Sequence, residues 1–323
     1  MLGDRGGLTE KEERMEEVGS HHQEGVDASS QQNIYPVEIS IQSLLKAGAH
    51  FGHQTDKWNP KMAKYIYGAK SGIHIINLDL TLKAWREARK AVVNATARGG
   101  SVLFVGTKRQ ARRIVEEESK RCGGYYVTSR WLGGTLTNFS TIKKSVDRMK
   151  KLNELLEKSQ DENSDIKLNK KERLRITREI TKLENSLGGI KDMRSLPSIV
   201  LVTDIRREEI AVREARKLHI PVIALVDTNC DPTIVDYPIP ANDDGVKTLR
   251  LFCAAVADAA LEGAEIYKAS FVKQREQDKP ADAPSVGDGT GENGNGSPEV
   301  AEASDKPEEA GKGESAEKAL PAQ

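Results

Sequence analysis

Short runs rich in Val, Ile and Leu alternate along this chain with longer stretches in which apolar residues recur every three or four positions. The runs lie at 73–78, 101–106, 198–203 and 220–226. Bounded by turn residues, they predict buried strands, and the periodic stretches predict helices over 80–98, 107–121 and 205–218. Shorter strands are expected at 125–127 and at 237–240, the latter at a sheet edge because Pro238 and Pro240 cannot serve a central ladder. A short helix over 39–46, with Ser40 as its cap, opens the series, and a helix over 243–266 closes it. Strands that are apolar throughout and separated by helices signal a parallel sheet covered on both faces, hence an α/β domain.

One segment breaks this alternation. Between the turns Leu132-Gly133-Gly134 and Leu187-Gly188-Gly189 no strand is predicted. Ile142, Met149 and Leu156 are seven apart, and Ile176, Ile180, Leu183 and Leu187 step by four, three and four. That spacing predicts an antiparallel helical hairpin of coiled-coil type over 138–190, inserted into the α/β domain of 39–268. Lys143, Lys144 and Arg148 make its first arm basic, and Lys170, Lys171, Arg173, Arg175 and Arg178 its second.

Charge changes the picture. The chain of 323 residues has a formal net charge of zero, but the zero is a cancellation. Residues 1–38 hold 3 basic and 9 acidic side chains, and residues 273–323 hold 6 and 12. The remaining 39–272 hold 40 basic and 28 acidic side chains, net +12. A body this basic expects a polyanion, because each neutralised phosphate releases a counterion. Both ends are poor in apolar residues and read as disordered acidic extensions, 1–38 and 269–323. The acidic start gives no signal peptide, no run reaches membrane length, and Cys122, Cys230 and Cys253 follow no paired motif. The expectation is a chain of the reducing cytosol, with no membrane and no small-molecule substrate among its partners.

Candidate contacts follow from residue type and position. Lys57, Trp58, Asn59 and Lys61 combine cations, an amide and an indole in one loop, a set suited to RNA phosphates and exposed bases. The helix expected from Thr107 carries Lys108, Arg109, Arg112 and Arg113 in its first turns and Glu116, Glu117 and Glu118 later. A helix N-terminus is already positive, so this order is unfavourable by roughly 0.3–1 kcal/mol per cation, and it suggests that an anion docks there. Long side chains bending into water would be the bland account. Arg130 and Asn138 flank the first Gly-Gly turn and join Lys143, Lys144 and Arg148 as RNA-contact candidates. Asp227, Asp243 and Asp244 fall at the carboxyl ends of neighbouring strands, where three carboxylates can converge on a divalent ion. Capping of turns and of the last helix is the alternative use for them.

Several long motifs, in order, resemble the bacterial-type small-subunit ribosomal protein S-two family. They are Ala47-Gly-Ala-His-Phe-Gly-His-Gln-Thr-Asp-Lys-Trp-Asn-Pro-Lys-Met62, Val105-Gly-Thr-Lys-Arg109, Arg130-Trp-Leu-Gly-Gly-Thr-Leu-Thr-Asn138, Leu187-Gly-Gly-Ile-Lys-Asp-Met193, Val226-Asp-Thr-Asn229 and Ile239-Pro-Ala-Asn-Asp-Asp244. The resemblance spans roughly 38–268 and implies a flavodoxin-like three-layer domain with an inserted coiled coil. It also implies a structural place in the small subunit on ribosomal RNA, beside other small-subunit proteins. Recruitment of the large RNA-binding protein S-one at initiation is a further implication. It would bring His53 to the three aspartates, a set suited to structural zinc or magnesium although no cofactor is required. Two rivals stand beside it. One is a metal-dependent phosphate-handling enzyme built on Asp227, Asp243 and Asp244. The other is a free regulatory RNA-binding scaffold. The enzyme reading lacks the G-x-x-x-x-G-K-[ST] loop and any recognisable nucleophile and base.

Overall fold

The computed structural model describes residues 37–159 and 168–277. Of the expected extensions, 1–38 and 269–323, residues 1–36 and 278–323 lie outside the described residues, as does 160–167 of the expected hairpin.

Five parallel strands form the main sheet. In a strand numbering that includes the three strands of a small sheet preceding them, they are β4 (Val102–Val105), β5 (Tyr125–Val127), β6 (Ile199–Val202), β7 (Val222–Val226) and β8 (Tyr237–Pro240). Their order is β5-β4-β6-β7-β8, which counted along the chain is 2-1-3-4-5. This is a doubly wound arrangement, and its switch point lies between β4 and β6. Alternate residues feed two separate cores. Val102, Phe104, Ile199, Leu201, Ile223, Leu225 and Ile239 pack into one. Leu103, Val105, Val200, Val202, Val222, Ala224 and Val226 pack into the other. The period of two along each strand is why every position of these runs must be apolar.

The first core is closed by α2 (Leu78–Thr96), α3 (Arg112–Arg121) and α7 (Val246–Gln277), and by α1 (Ile41–Ala47) at its edge. Helix α1 is held by the Ser40 cap, which forms a reciprocal pair with Ser43. Helix α2 buries Leu78, Thr81, Trp85, Ala88, Val92 and Thr96, a stripe at three- and four-residue spacing. It crosses α7 at Gly263, where a Cβ would strike the Thr96 hydroxyl and the Val93 carbonyl. The second core is closed by α6 (Glu209–Lys217), by the loop around Trp131 and Leu136, and by residues of two further helices. These are α4 (Phe139–Lys158) and α5 (Lys170–Leu187), joined to each other by an Arg148–Glu179 ion pair of 2.6 Å.

Several boundaries differ from expectation. The run at 73–78 is not part of the parallel sheet. Its strand β3 (Ile73–Ile76) sits between β1 (Phe51–Gln54) and β2 (Ile66–Lys70) in a small antiparallel sheet. Strands β1 and β2 carry too many Gly, His and Lys residues to read as strands by themselves; pairing with β3 makes them so. Helix α3 starts at Arg112 rather than Thr107, because Thr107 is bonded away across the sheet edge. Helix α7 runs to Gln277, beyond the expected end at 266 and into the segment read as acidic tail. Along α4 and α5 the expected seam is buried at Ile142, Met149 and Leu187 but only half-buried at Leu156, Ile176, Ile180 and Leu183.

Candidate functional site

The carboxyl edge of the main sheet gathers an acidic cluster. Asp227 follows β7, Asp243 follows β8, and His53 reaches them from β1. The loop carrying His53 is pinned there because Thr228 Oγ1 accepts its backbone N–H at 2.9 Å. His53 Nδ1 lies 3.0 Å from Asp227 Oδ1, and Nε2 lies 3.5 Å from Asp244 Oδ2. Among the described residues, His53, Asp227 and Asp243 offer ligand atoms that all lie within 4.8 Å of one another. Asp227 and Asp243 are almost fully buried. The donor set of two carboxylates and one imidazole suits a divalent ion of intermediate softness.

Lys108 departs from its expected role. It does not face outward toward RNA. Its side chain is 13% exposed, and its Nζ lies 2.8 Å from Asp243 Oδ1, 2.6 Å from Asp244 Oδ1 and 3.5 Å from Asp204 Oδ2. It also donates to the Asp243 carbonyl at 3.0 Å. Four nearby carboxylates require an internal cation, and the first loop of the sheet supplies it. Burial pulls the Lys108 pKa down, but the bonds to Asp243 and Asp244 outweigh it and hold the ammonium charged. Burial and the neighbouring Asp204 push Asp243 up to about 7, against the pull of Lys108. The bond to Asp227 raises the His53 pKa. Lys108 therefore competes for the same oxygens that a metal would use.

At the switch point a carboxylate of the chain itself fills the place where doubly wound folds receive anionic ligands. Glu208 Oε1 accepts from the Thr107 N–H at 2.9 Å and from Thr107 Oγ1 at 2.5 Å, and the side chain is 2% exposed. Burial raises the Glu208 pKa against those two bonds. A second buried carboxylate, Glu214 of α6, organises the Gly-Gly turn before α4. It accepts from Trp131 Nε1 at 3.1 Å, from the N–H groups of Gly134, Leu136 and Thr137, and from the Thr137 hydroxyl. Burial opposes its ionisation, yet these donors prevail and its pKa is lowered. Sequence reading missed both acids. Neither carries a sequence signal of this role, since an acid at a helix start such as Glu208, or within a charged helix such as Glu214, is favourable in any case. Only their burial shows their task.

The remaining expected RNA contacts divide into residues with no ion pair among the described residues and residues engaged by neighbours, and Arg112 of the first group donates to the Thr107 carbonyl. Lys57, Arg109, Arg112, Arg130, Lys143 and Lys144 are exposed, and Trp58 is 40% exposed with its ring 5.5 Å from that of His74. Trp131, by contrast, is a core anchor. Asn59 caps a turn by accepting from the Lys61 N–H, and Lys61 Nζ sits 2.6 Å from Asp231 Oδ2. Arg113 pairs with Glu117 one helical turn on, Arg148 pairs with Glu179, and the Asn138 side chain accepts from the Thr141 hydroxyl. The reversed charge order of α3 is thereby softened. Lys108 and Arg109 precede the helix, Arg113 is paired, and Lys120 and Arg121 close the last turn as the dipole prefers.

The fold and this edge define a basic α/β body with an acidic cluster bridged by an inward-turned lysine, and comparison with known proteins gives its class: ribosomal proteins. The family model described as Ribosomal protein S2 matches residues 44–263, and the chain belongs to that family. The chain is similar to the small ribosomal subunit protein uS2 of Oleidesulfovibrio alaskensis, at 51% identity over 239 residues, covering 74% of this chain and 90% of the relative. It is 53% identical over 230 residues to uS2 of Desulfovibrio desulfuricans, covering 71% and 88%. The value for uS2 of Sorangium cellulosum is again 53% over 230 residues, covering 71% and 81%. The family is one of structural ribosomal proteins rather than enzymes, which sets aside the phosphate-handling enzyme.

Proposed function

We propose that the chain is a structural component of the small ribosomal subunit that binds its RNA chiefly through phosphates. The observation that carries this reading is the placement of charge. Residues 39–272 carry net +12, and at the carboxyl edge of the sheet Glu208, Asp227 and Asp243 are buried and the exposed Asp244 is paired with Lys108, while Arg109, Arg112 and Arg130 are exposed. The relatives are named as small-subunit proteins, which supports assembly there. In the same reading α4 and α5 form an antiparallel basic arm that reaches into the assembly, and the bound chain supports recruitment of S-one at initiation. Co-sedimentation with small subunits at low and high salt tests it. The chain should travel with subunits and be released as salt rises. A chain that stays at the top of the gradient at low salt overturns the assignment and favours the free regulatory scaffold.

A structural divalent ion at His53, Asp227 and Asp243, with Asp244 beside them, is a second reading. It is favoured by the convergence of their ligand atoms. Binding would displace the Lys108 ammonium from Asp243. Metal analysis of the purified chain should then give one ion, lost in Asp227→Asn and in His53→Ala. Equal metal in all three leaves these acids as partners of Lys108 alone.

A further inference from the structure

We propose that Arg112 and Arg207, both fixed on Thr107, form a seat for one phosphate of an RNA strand, with Thr107 as its positioning residue. The inference rests on the RNA-binding reading above and adds to it a residue and a place. Strands β4 and β6 are neighbours and parallel, so the loops that follow them open at the same edge. Arg112 begins α3 after the first loop, and Arg207 lies in the second. Arg112 Nε donates to the Thr107 carbonyl at 3.0 Å, and Arg207 Nε donates to Thr107 Oγ1 at 2.8 Å.

Thr107 is itself locked, since its N–H and hydroxyl both donate to the buried Glu208. The Arg207 backbone is held too, its N–H donating to Asp204 Oδ1 at 3.0 Å. Both arginine side chains are exposed, and among the described residues neither enters an ion pair. A guanidinium carries five N–H donors, so using Nε leaves the terminal fork of each free to face solvent. Two such forks anchored on one residue suit the several oxygens of a phosphate, and their rotamer freedom is already reduced before binding. Arg113 is the contrast within the same helical turn: it too is exposed, but Glu117 occupies it. Of the nearby acids, Glu208, Asp227 and Asp243 are each at most 2% exposed, Asp204 is 13% exposed and accepts the Arg207 N–H, and the exposed Asp244 is engaged by Lys108.

Filter binding of transcribed small-subunit ribosomal RNA to the full chain, as a function of potassium chloride, is the test. Arg112→Gln with Arg207→Gln should lower the log–log salt slope by about two, one for each cation removed. Arg98→Gln with Arg216→Gln removes the same charge from exposed positions at the other end of the sheet and should leave the slope near the parent's. Thr107→Val should weaken binding about three- to tenfold at unchanged slope, and Thr107→Ser should restore it, as expected of lost preorganisation. Circular dichroism of each variant separates unfolding from lost contacts. If the Arg112/Arg207 pair behaves like the control pair while the parent slope stays steep, the seat is wrong and the general RNA reading stands. Unchanged RNA binding with poorer incorporation into reconstituted subunits would assign the pair to an acidic protein and also overturn the proposal. A flat parent slope removes the RNA reading itself.

Discussion

Single residues decide how tightly this body holds its loops. Glu214 is the clearest, with five donors on one buried carboxylate. Glu214→Gln keeps the shape but turns an amide against donors, and should destabilise the chain by about 2–4 kcal/mol. The pH dependence has a definite sign. The folded pKa lies below the ordinary 4.5, so the contribution is complete above pH 4.5 and is lost as pH falls through the folded value. Denaturant titrations at pH 6 and pH 3.5 should therefore show the gap between parent and variant narrowing in acid. His219 works in the other direction. It ends α6 at φ +56°, a conformation that costs a side-chain-bearing residue about 1 kcal/mol. His219→Gly should raise stability by up to about 1 kcal/mol in thermal melts, since nothing in the described structure requires the imidazole there.

At the scale of elements, the helices between β5 and β6 are only partly separable from the body. Ile142, Val146 and Leu187 belong to the second core, and Met149 is buried beside them. Removing 140–186 would therefore cut into that core, contrary to what charge and spacing alone suggest. Removing 150–182 and closing the gap with a short glycine-serine linker spares Ile142, Val146, Met149 and Leu187. That variant should give the circular dichroism of a folded α/β domain and melt within a few degrees of the parent. Its incorporation into small subunits should fall. Normal incorporation would show that the arm is dispensable to assembly, and loss of fold would show that the core extends further along α4 and α5.

For the whole molecule, net charge misleads. The formal zero hides a +12 body between two segments of net −6 each. Removing 278–323 should leave RNA affinity equal to the parent or greater, and make it no less dependent on salt, because the removed acids can only compete for basic surface. Weaker binding after truncation, measured by filter binding, would mean that those residues contribute contacts of their own.

How much of this was legible beforehand depends on the range of the interactions involved. The parallel strands, the Ser40 cap and the edge position of the strand with Pro238 and Pro240 were readable because each is set by neighbours a few residues away. The convergence of Asp227, Asp243 and His53 was half legible: strand order places the two acids, but the imidazole needed the family resemblance. The inward turn of Lys108, the self-filled switch point at Glu208 and the anchoring of Arg112 and Arg207 on Thr107 were not legible at all. The sequence by itself determined the strands of the parallel sheet, the helices in outline and where the charge accumulates, since period and composition are local properties, whereas β1 and β2 became strands only by pairing with β3. Only the tertiary structure decided which charges face water, because burial and pairing across the sheet edge join residues about a hundred or more positions apart.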